Sequence, residues 1–331
     1  MKPLVVLLDS ALVPDSVDCS IEQGILDGAC ELRQVFVEGE EDIVAAAGNA
    51  DAVLLWHHVE LNRAVLERLH RCRVVVRNGV GFDNVDTQAA GELGIAVCNV
   101  PDYGTEEVAD HAIALILTLT RKLLPAWAAV RQGEWNWRTA GVVRRTSAQT
   151  VGILGLGRIG TATALRAKAL GFRVVFFDPY LPSGVEKALG LARVTTLRSL
   201  LESIDVLSIH TPLTAETRHM VDAPAIRAMK AGSVIVNTAR GPVVEEGALV
   251  AALESGHVSG AGLDVVDREP HLSPSLLAHP NCIVTPHSAF YSEESWIEMR
   301  EKSAGAVLSV LRGQVPANII NQQFLRAGAA A

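Results

Sequence analysis

The tightest constraint on how this chain folds lies in "VGILGLGRIGTATALRAKALGFRVVFFD", residues 151–178. Gly155, Gly157 and Gly160 form a GxGxxG between an apolar strand pattern and an alanine-rich helical pattern, and a second strand pattern ends at Asp178. The first glycine permits a tight turn, the second lets backbone approach a pyrophosphate, and the third lets the helix pack close to the strand. Glycine-rich turns are common by themselves, but strand, helix and second strand together meet the contextual test for a dinucleotide site. A carboxylate ending the second strand accepts hydrogen bonds from the adenine ribose and repels a 2′-phosphate, which favours NAD over NADP. The alternative for Asp178 is that it opens the turn "DPY". Arg158 and Ile159 fill the positions between Gly157 and Gly160. Arg158 either reaches the pyrophosphate or is a solvated arginine at a helix start.

The same alternation runs along the rest of the chain. "PLVVLLDS", "DAVLLWH" and "RVVVRNGVG" are short apolar runs ending in polar or turn residues, with "NRAVLERLHR" at helical spacing between two of them. After residue 178, "DVLSIHT", "GSVIVNT", "VSGAGLDVV" and "NCIVTPH" read as strands, with helices such as "EEGALVAALESG" between them. Strands alternating with helices imply parallel sheets, and 331 residues suit two cores rather than one. The expected class is α/β, with two doubly wound parallel-sheet domains. Between the two sets, "TEEVADHAIALILTLTRKLLPAWAAVRQGEW" reads as one long helical pattern from Thr105. "EESWIEMREKSAGAVLSVLRGQVP" is another, and the tail "RAGAAA" reads as frayed.

Composition removes several functions. A net charge of −8 argues against nonspecific nucleic-acid binding, which needs a basic face. The five cysteines are scattered without CxxC pairing, so neither a disulfide framework nor a metal site is indicated, and a cytoplasmic location is the simplest expectation. "MKPLVVLLDS" reads as a first strand rather than a signal peptide, and "AIALILTLT" is too short to span a bilayer, so no membrane association is expected.

Three segments place polar residues where a strand pattern stops, the ligand-facing edge of a doubly wound sheet. Arg240 follows "VIVNTA", Asp264 and Glu269 sit at and beyond "GLDVV", and His287 follows "IVTP". Together they suit reduction of a 2-oxo acid: a guanidinium to clamp the carboxylate, and an imidazole to protonate the oxygen while a carboxylate holds that imidazole in place. Arg240, His287 and Glu269 fill those roles, and Asp264 is assigned to the cofactor's amide. His57 and His58 are adjacent in a strand pattern, so opposite orientations are expected and no shared metal. His210 either lines the cofactor cleft or is a core or turn histidine.

The ordered motifs "NGVGFDNVD", "TEEVADHAIALILTLTR", "GILGLGRIG", "HTPLTAETRHMV", "VNTARGPVVEEGALVAAL", "GLDVVDREP" and "TPHSAFYSEES" resemble those of the D-isomer-specific 2-hydroxyacid dehydrogenases over nearly the whole chain. Within that group, "VVVRNGVGFDN" and "YSEESWIEMRE" are most similar to the C-terminal-binding-protein branch. The resemblance implies a flavodoxin-like split substrate domain from residues 1–100 and 292–331, a Rossmann NAD-binding domain over 101–291, hinge closure and a homodimer. It implies that Asn78, Gly79, Val80 and Gly81 offer amides to the substrate carboxylate. Thr211 with Pro212, and Thr238 with Ala239, match turns that contact the cofactor. Phe290 stands where the co-repressors have a tryptophan that contacts substrate. Arg77 binds a second anionic group or reinforces the clamp, or it makes a structural salt bridge. Two other functions stay open: an NAD(H)-sensing dimeric scaffold that binds peptides, and a dehydrogenase of a phosphorylated or phosphonate acid. The absence of long terminal extensions and the full catalytic set favour the enzyme over the scaffold.

Overall fold

The computed structural model describes residues 2–15 and 18–325; the expectation of a frayed tail concerns 326–331, outside the described residues. The chain forms two compact units, Met1–Gly104 with Ser292–Ala331, and Thr105–Tyr291.

In the first unit, strands β1 (Leu4–Ser10), β2 (Glu31–Val37), β3 (Ala52–Leu55), β4 (Val74–Arg77) and β5 (Ala96–Cys98) form a parallel sheet ordered β2-β1-β3-β4-β5. This is the flavodoxin-like order. β3 and β4 are buried at every residue, as strands covered on both faces must be, whereas β2 at the edge is largely half-exposed. Val6, Leu8, Val53, Leu55, Val75 and Val97 make the centre of the core. Only Arg63–Leu66 of the expected "NRAVLERLHR" helix forms, capped by Asn62, whose side chain accepts from the Val65 N–H at 3.1 Å.

The C-terminal segment completes this unit. Ser292 and Ser295 form a reciprocal capping box that starts the helix Glu293–Leu311. Arg300 on that helix donates to both oxygens of the fully buried Glu22, at 2.8 and 2.6 Å, and Trp296 stacks on Trp56 with ring centroids 4.9 Å apart. Asn321 accepts from the Val97 N–H at 2.9 Å and donates to the Ile95 carbonyl at 3.0 Å, covering the outer edge of β5.

In the second unit, β6 (Thr150–Leu154), β7 (Arg173–Phe177), β8 (Ala192–Arg193), β9 (Val206–Ile209), β10 (Ser233–Asn237), β11 (Val258–Leu263) and β12 (Cys282–Val284) form a parallel sheet ordered β12-β11-β10-β9-β6-β7-β8. The strand order reverses between β6 and β9, where such sheets open a crevice at the carboxyl ends of their strands. The expected two doubly wound sheets are both present.

The helix Thr105–Thr120 lies against β10 and β11. A Cβ on Gly260 would come 3.0 Å from Leu119, and one on Gly262 3.0 Å from Leu115, so the glycines of "VSGAGL" set this close approach. The expected long helix breaks here. Lys122 adopts φ 57°, and a second helix, Leu123–Arg131, leaves at 61°. Pro125 explains the break: inside a continuous helix its ring would collide with the carbonyl of residue 121, whereas in a new first turn its missing N–H costs nothing. Among the described residues, no single helix is long and apolar enough to cross a membrane.

Candidate active site

All the polar residues singled out in the second unit fall at the carboxyl ends of its strands. After β6, Gly155 adopts φ 87° and donates to the Phe177 carbonyl at 3.0 Å, while a Cβ there would sit 2.9 Å from Thr211. A Cβ on Gly160 would lie 2.1 Å from the Gly155 carbonyl oxygen, which fixes glycine where helix crosses strand. At Gly157, just before the helix Arg158–Ala169, a Cβ would meet nothing within 4 Å. Glycine here leaves open space over the helix N-terminus, where backbone N–H groups attract an anion. Arg158 is exposed and Ile159 partly so. The Asp178 carboxylate accepts from the Leu156 N–H at 2.9 Å and the Tyr180 N–H at 3.0 Å, tying the end of β7 to the glycine loop.

Two hydroxyls on this edge are buried without a protein partner, Thr211 Oγ1 after β9 and Thr238 Oγ1 after β10. Buried polar groups are seldom left unsatisfied, so these two and the open face of Gly157 fit an edge that receives a polar cofactor. Pro212 and Ala239 are their exposed and half-buried neighbours.

The loops after β10, β11 and β12, three neighbours in the sheet, carry Arg240, Glu269 and His287. His287 Nδ1 lies 2.7 Å from Glu269 Oε2, and Glu269 Oε1 accepts from the Val266 N–H at 3.2 Å. A carboxylate only accepts, so Nδ1 carries the proton of that bond and Nε2 is left to exchange protons. His287 has φ 51°, rare for a side chain branching at Cγ rather than a glycine; its N–H goes to the carbonyls of Asp264 and Thr285 at 2.8 and 3.0 Å. The Phe290 ring stands edge-on to the imidazole at 6.5 Å.

Asn237, 1% exposed, accepts from the Ala239 N–H and donates to the Arg240 carbonyl, at 3.0 and 2.8 Å, so it shapes the arginine's loop. Arg240 Nη1 donates to the Ala239 carbonyl at 2.8 Å. A Cβ on Gly241 would lie 1.9 Å from the Val266 carbonyl oxygen, so the arginine loop is pressed against the loop that leads to Glu269. Asn237 and Gly241 were not singled out from sequence; an asparagine at a strand end and a glycine after an arginine look like ordinary turn residues.

Asp264 has a structural role that was not expected from sequence. Its carboxylate, 1% exposed, accepts from the Thr285 hydroxyl at 2.6 Å, the Ser288 N–H at 2.9 Å and the Ala289 N–H at 2.9 Å. Those donors make it a brace for the His287 loop, while Oδ2, which takes only the Ala289 N–H, keeps acceptor capacity for the cofactor amide expected of it. His210 is held by Ser208, with Nε2 and Oγ 2.8 Å apart, and burial pushes its imidazole down to about 3.

In the first unit, Arg77 ends β4, is 5% exposed and donates to the Asn78 carbonyl at 2.7 Å. Gly79 has φ 134°, and a Cβ there would lie 1.7 Å from Arg77 Nη1. The guanidinium therefore folds back under the loop Asn78, Gly79, Val80, Gly81, of which Asn78 and Gly79 are buried and Val80 and Gly81 half-buried. His57 and His58 do not face opposite ways: β3 ends at Leu55, the alternation stops with it, and the two rings lie 3.9 Å apart at 40°. His57 Nδ1 is 3.1 Å from Asp15.

Comparison with known proteins gives the family. Residues 113–289 match the model of "D-isomer specific 2-hydroxyacid dehydrogenase, NAD binding domain". The chain is 37% identical to C-terminal-binding protein 1 of Caenorhabditis elegans, over 96% of this chain and 44% of that protein. It is 34% identical to D-3-phosphoglycerate dehydrogenase of Methanocaldococcus jannaschii, over 96% of this chain and 59% of that one. It thus spans about half the length of these curated relatives. Among solved structures, D-lactate dehydrogenase from Aquifex aeolicus, complexed with NAD and lactic acid, has a TM-score of 0.83 at 29% identity, covering 93% of this chain and 96% of that one. With the glycine loop, the Asp178 tie and the strand-end residues in one sheet edge, the match over 113–289 means that this chain belongs to the D-isomer-specific 2-hydroxyacid dehydrogenase family and carries its NAD-binding domain.

Proposed function

We propose that this protein is an NAD-dependent oxidoreductase that interconverts a small 2-oxo acid and its D-2-hydroxy acid. The observation that carries the reading is the His287–Glu269 pair, 2.7 Å apart, on the loops after β12 and β11, with Arg240 on the loop after β10, the next strand in the sheet. Bound NADH supplies the hydride. Arg240 grips the substrate carboxylate with a planar, permanently charged fork. His287 gives the Nε2 proton to the carbonyl oxygen as negative charge builds on it, and Glu269 holds the ring so that Nε2 keeps its aim. Phe290, edge-on to the imidazole, supplies an apolar wall that limits the substrate side chain. Backbone amides of Asn78, Gly79, Val80 and Gly81 are assigned to the substrate carboxylate. The D configuration rests on family membership.

For Arg77 we favour support of that loop over a second anion site, because its guanidinium is buried against the loop's own backbone. The phosphorylated or phosphonate substrates therefore lose their main support. A homodimer is supported by the exposed apolar side chains of Leu123, Trp127, Val130, Trp135, Trp137 and Val142 in the second unit.

The test is NADH oxidation by the purified protein with a panel of 2-oxo acids, including glyoxylate, hydroxypyruvate, methylthio-oxobutyrate and a dicarboxylic example. Turnover on at least one monocarboxylic acid, with NADH much preferred over NADPH, is expected. Tight NADH binding with no turnover on any acid would overturn the enzyme in favour of a dinucleotide-sensing scaffold.

A further inference from the structure

His111, on the helix Thr105–Thr120, places Nε2 3.0 Å from Thr285 Oγ1 and 3.8 Å from Asp264 Oδ1. The Thr285 hydroxyl has one proton and gives it to Asp264 Oδ1 at 2.6 Å, because a buried carboxylate can only accept. Thr285 can then meet His111 only as an acceptor, so His111 Nε2 bears a hydrogen and donates it. The line of donors runs from His111 to Thr285 to Asp264. Asp264 in turn takes the N–H groups of Ser288 and Ala289, at 2.9 Å each, and its own carbonyl takes the N–H of His287 at 2.8 Å. His287 lies between the residues fixed in this way.

We propose that His111 is a positioning residue for His287, acting through the Thr285 hydroxyl and the Asp264 carboxylate. The inference rests on the reading of His287 as proton donor. A residue at φ 51° is strained and persists only where its surroundings over-determine it. Asp264 supplies that determination, and His111 fixes which way the Thr285 hydroxyl points. The helix that carries His111 is a rigid anchor, since its Leu115 and Leu119 pack on the backbone of β11. Without the histidine, Thr285 can rotate away, the 285–289 loop loosens, and the imidazole drifts. A misplacement of about 1 Å at a reacting group costs up to ~10²-fold in rate.

The test compares His111→Leu with His111→Gln, whose side-chain amide still presents an N–H at similar reach. His111→Leu is expected to lower kcat about tenfold or more, with NADH affinity and melting temperature essentially unchanged, and to speed amide hydrogen exchange in 285–289 but not elsewhere. His111→Gln should recover most of the rate and the protection. Thr285→Val should be as slow as His111→Leu and Thr285→Ser close to wild type, with no further loss when His111→Leu and Thr285→Val are combined. Unchanged kcat and exchange in His111→Leu, a Gln variant no better than the Leu variant, or additive losses in the double variant would overturn the proposal. If His111→Leu does not fold, the Val and Ser variants of Thr285 decide the question. Normal turnover by His287→Gln would instead remove the underlying reading, and the exchange measurement reports on the loop even then.

Discussion

At Gly241 a methyl group would have to occupy the space of the Val266 carbonyl, 1.9 Å away, with the backbone around Asp267 directly behind it. Gly241→Ala should therefore drive the Arg240 loop from the Glu269 loop, raising KM for the oxo acid and lowering kcat together by at least tenfold, while NADH titration stays near wild type. Steady-state kinetics beside that titration check this. His210 gives a prediction in pH. Its folded value, about 3, lies below the ordinary 6.5, so the unfolded chain takes up a proton that the folded one refuses. That contribution is complete above about pH 6.5 and is lost as pH falls toward 3, at no more than about 1.4 kcal/mol per pH unit. Urea unfolding at several pH values should show a shallower acid loss in His210→Asn than in wild type; equal slopes would contradict it. Arg240, Glu269 and His287 drew attention in the sequence because each lies within a few residues of the end of an apolar strand pattern. His111 and Thr285 were not: a histidine inside an apolar helical pattern looks like any other, and its partner lies 174 positions away.

At the scale of elements, the helices Ser20–Leu26 and Glu293–Leu311 are joined through Glu22 and Arg300, and the carboxylate is wholly buried. Removing one partner strands the other charge away from water, so Glu22→Ala should cost about 3–5 kcal/mol in urea unfolding. Replacing Glu22 and Arg300 together with leucines should cost less than that single change, because no charge is then left behind; a larger cost would show that the pair itself stabilises the fold. Strands were easy to place from sequence, since runs such as "AVLL" in β3 and the three valines of β4 are apolar at every position and signal burial on both faces. Helix limits were harder. Spacing alone carried the pattern straight through Lys122, and only the demand that Pro125 fall in a first turn ends one helix at Thr120 and starts the next at Leu123. The same limit applies to "NRAVLERLHR", where spacing suggested about ten helical residues and four form.

For the molecule as a whole, the local pattern predicts parallel sheets but says nothing about strand order, which depends on contacts between distant segments; here the family resemblance supplied it. The two orders explain where chemistry gathers, because each doubly wound sheet turns its carboxyl edge toward ligands and the second sheet collects the glycine loop, Thr211, Thr238, Arg240, Glu269 and His287 along that edge. A second copy over the apolar 123–142 stretch should give a dimer by light scattering, and Trp127→Glu with Trp137→Glu should give a monomer that still binds NADH; a wild-type monomer at micromolar concentration would refute the dimer. Turnover depends above all on the imidazole after β12. Its most direct test is a single-turnover measurement of NADH oxidation with the best 2-oxo acid, comparing wild type with His287→Gln while NADH affinity is titrated in parallel. The prediction is a loss of at least ~10²-fold in rate with affinity intact; a variant that oxidises NADH as fast as wild type would contradict it.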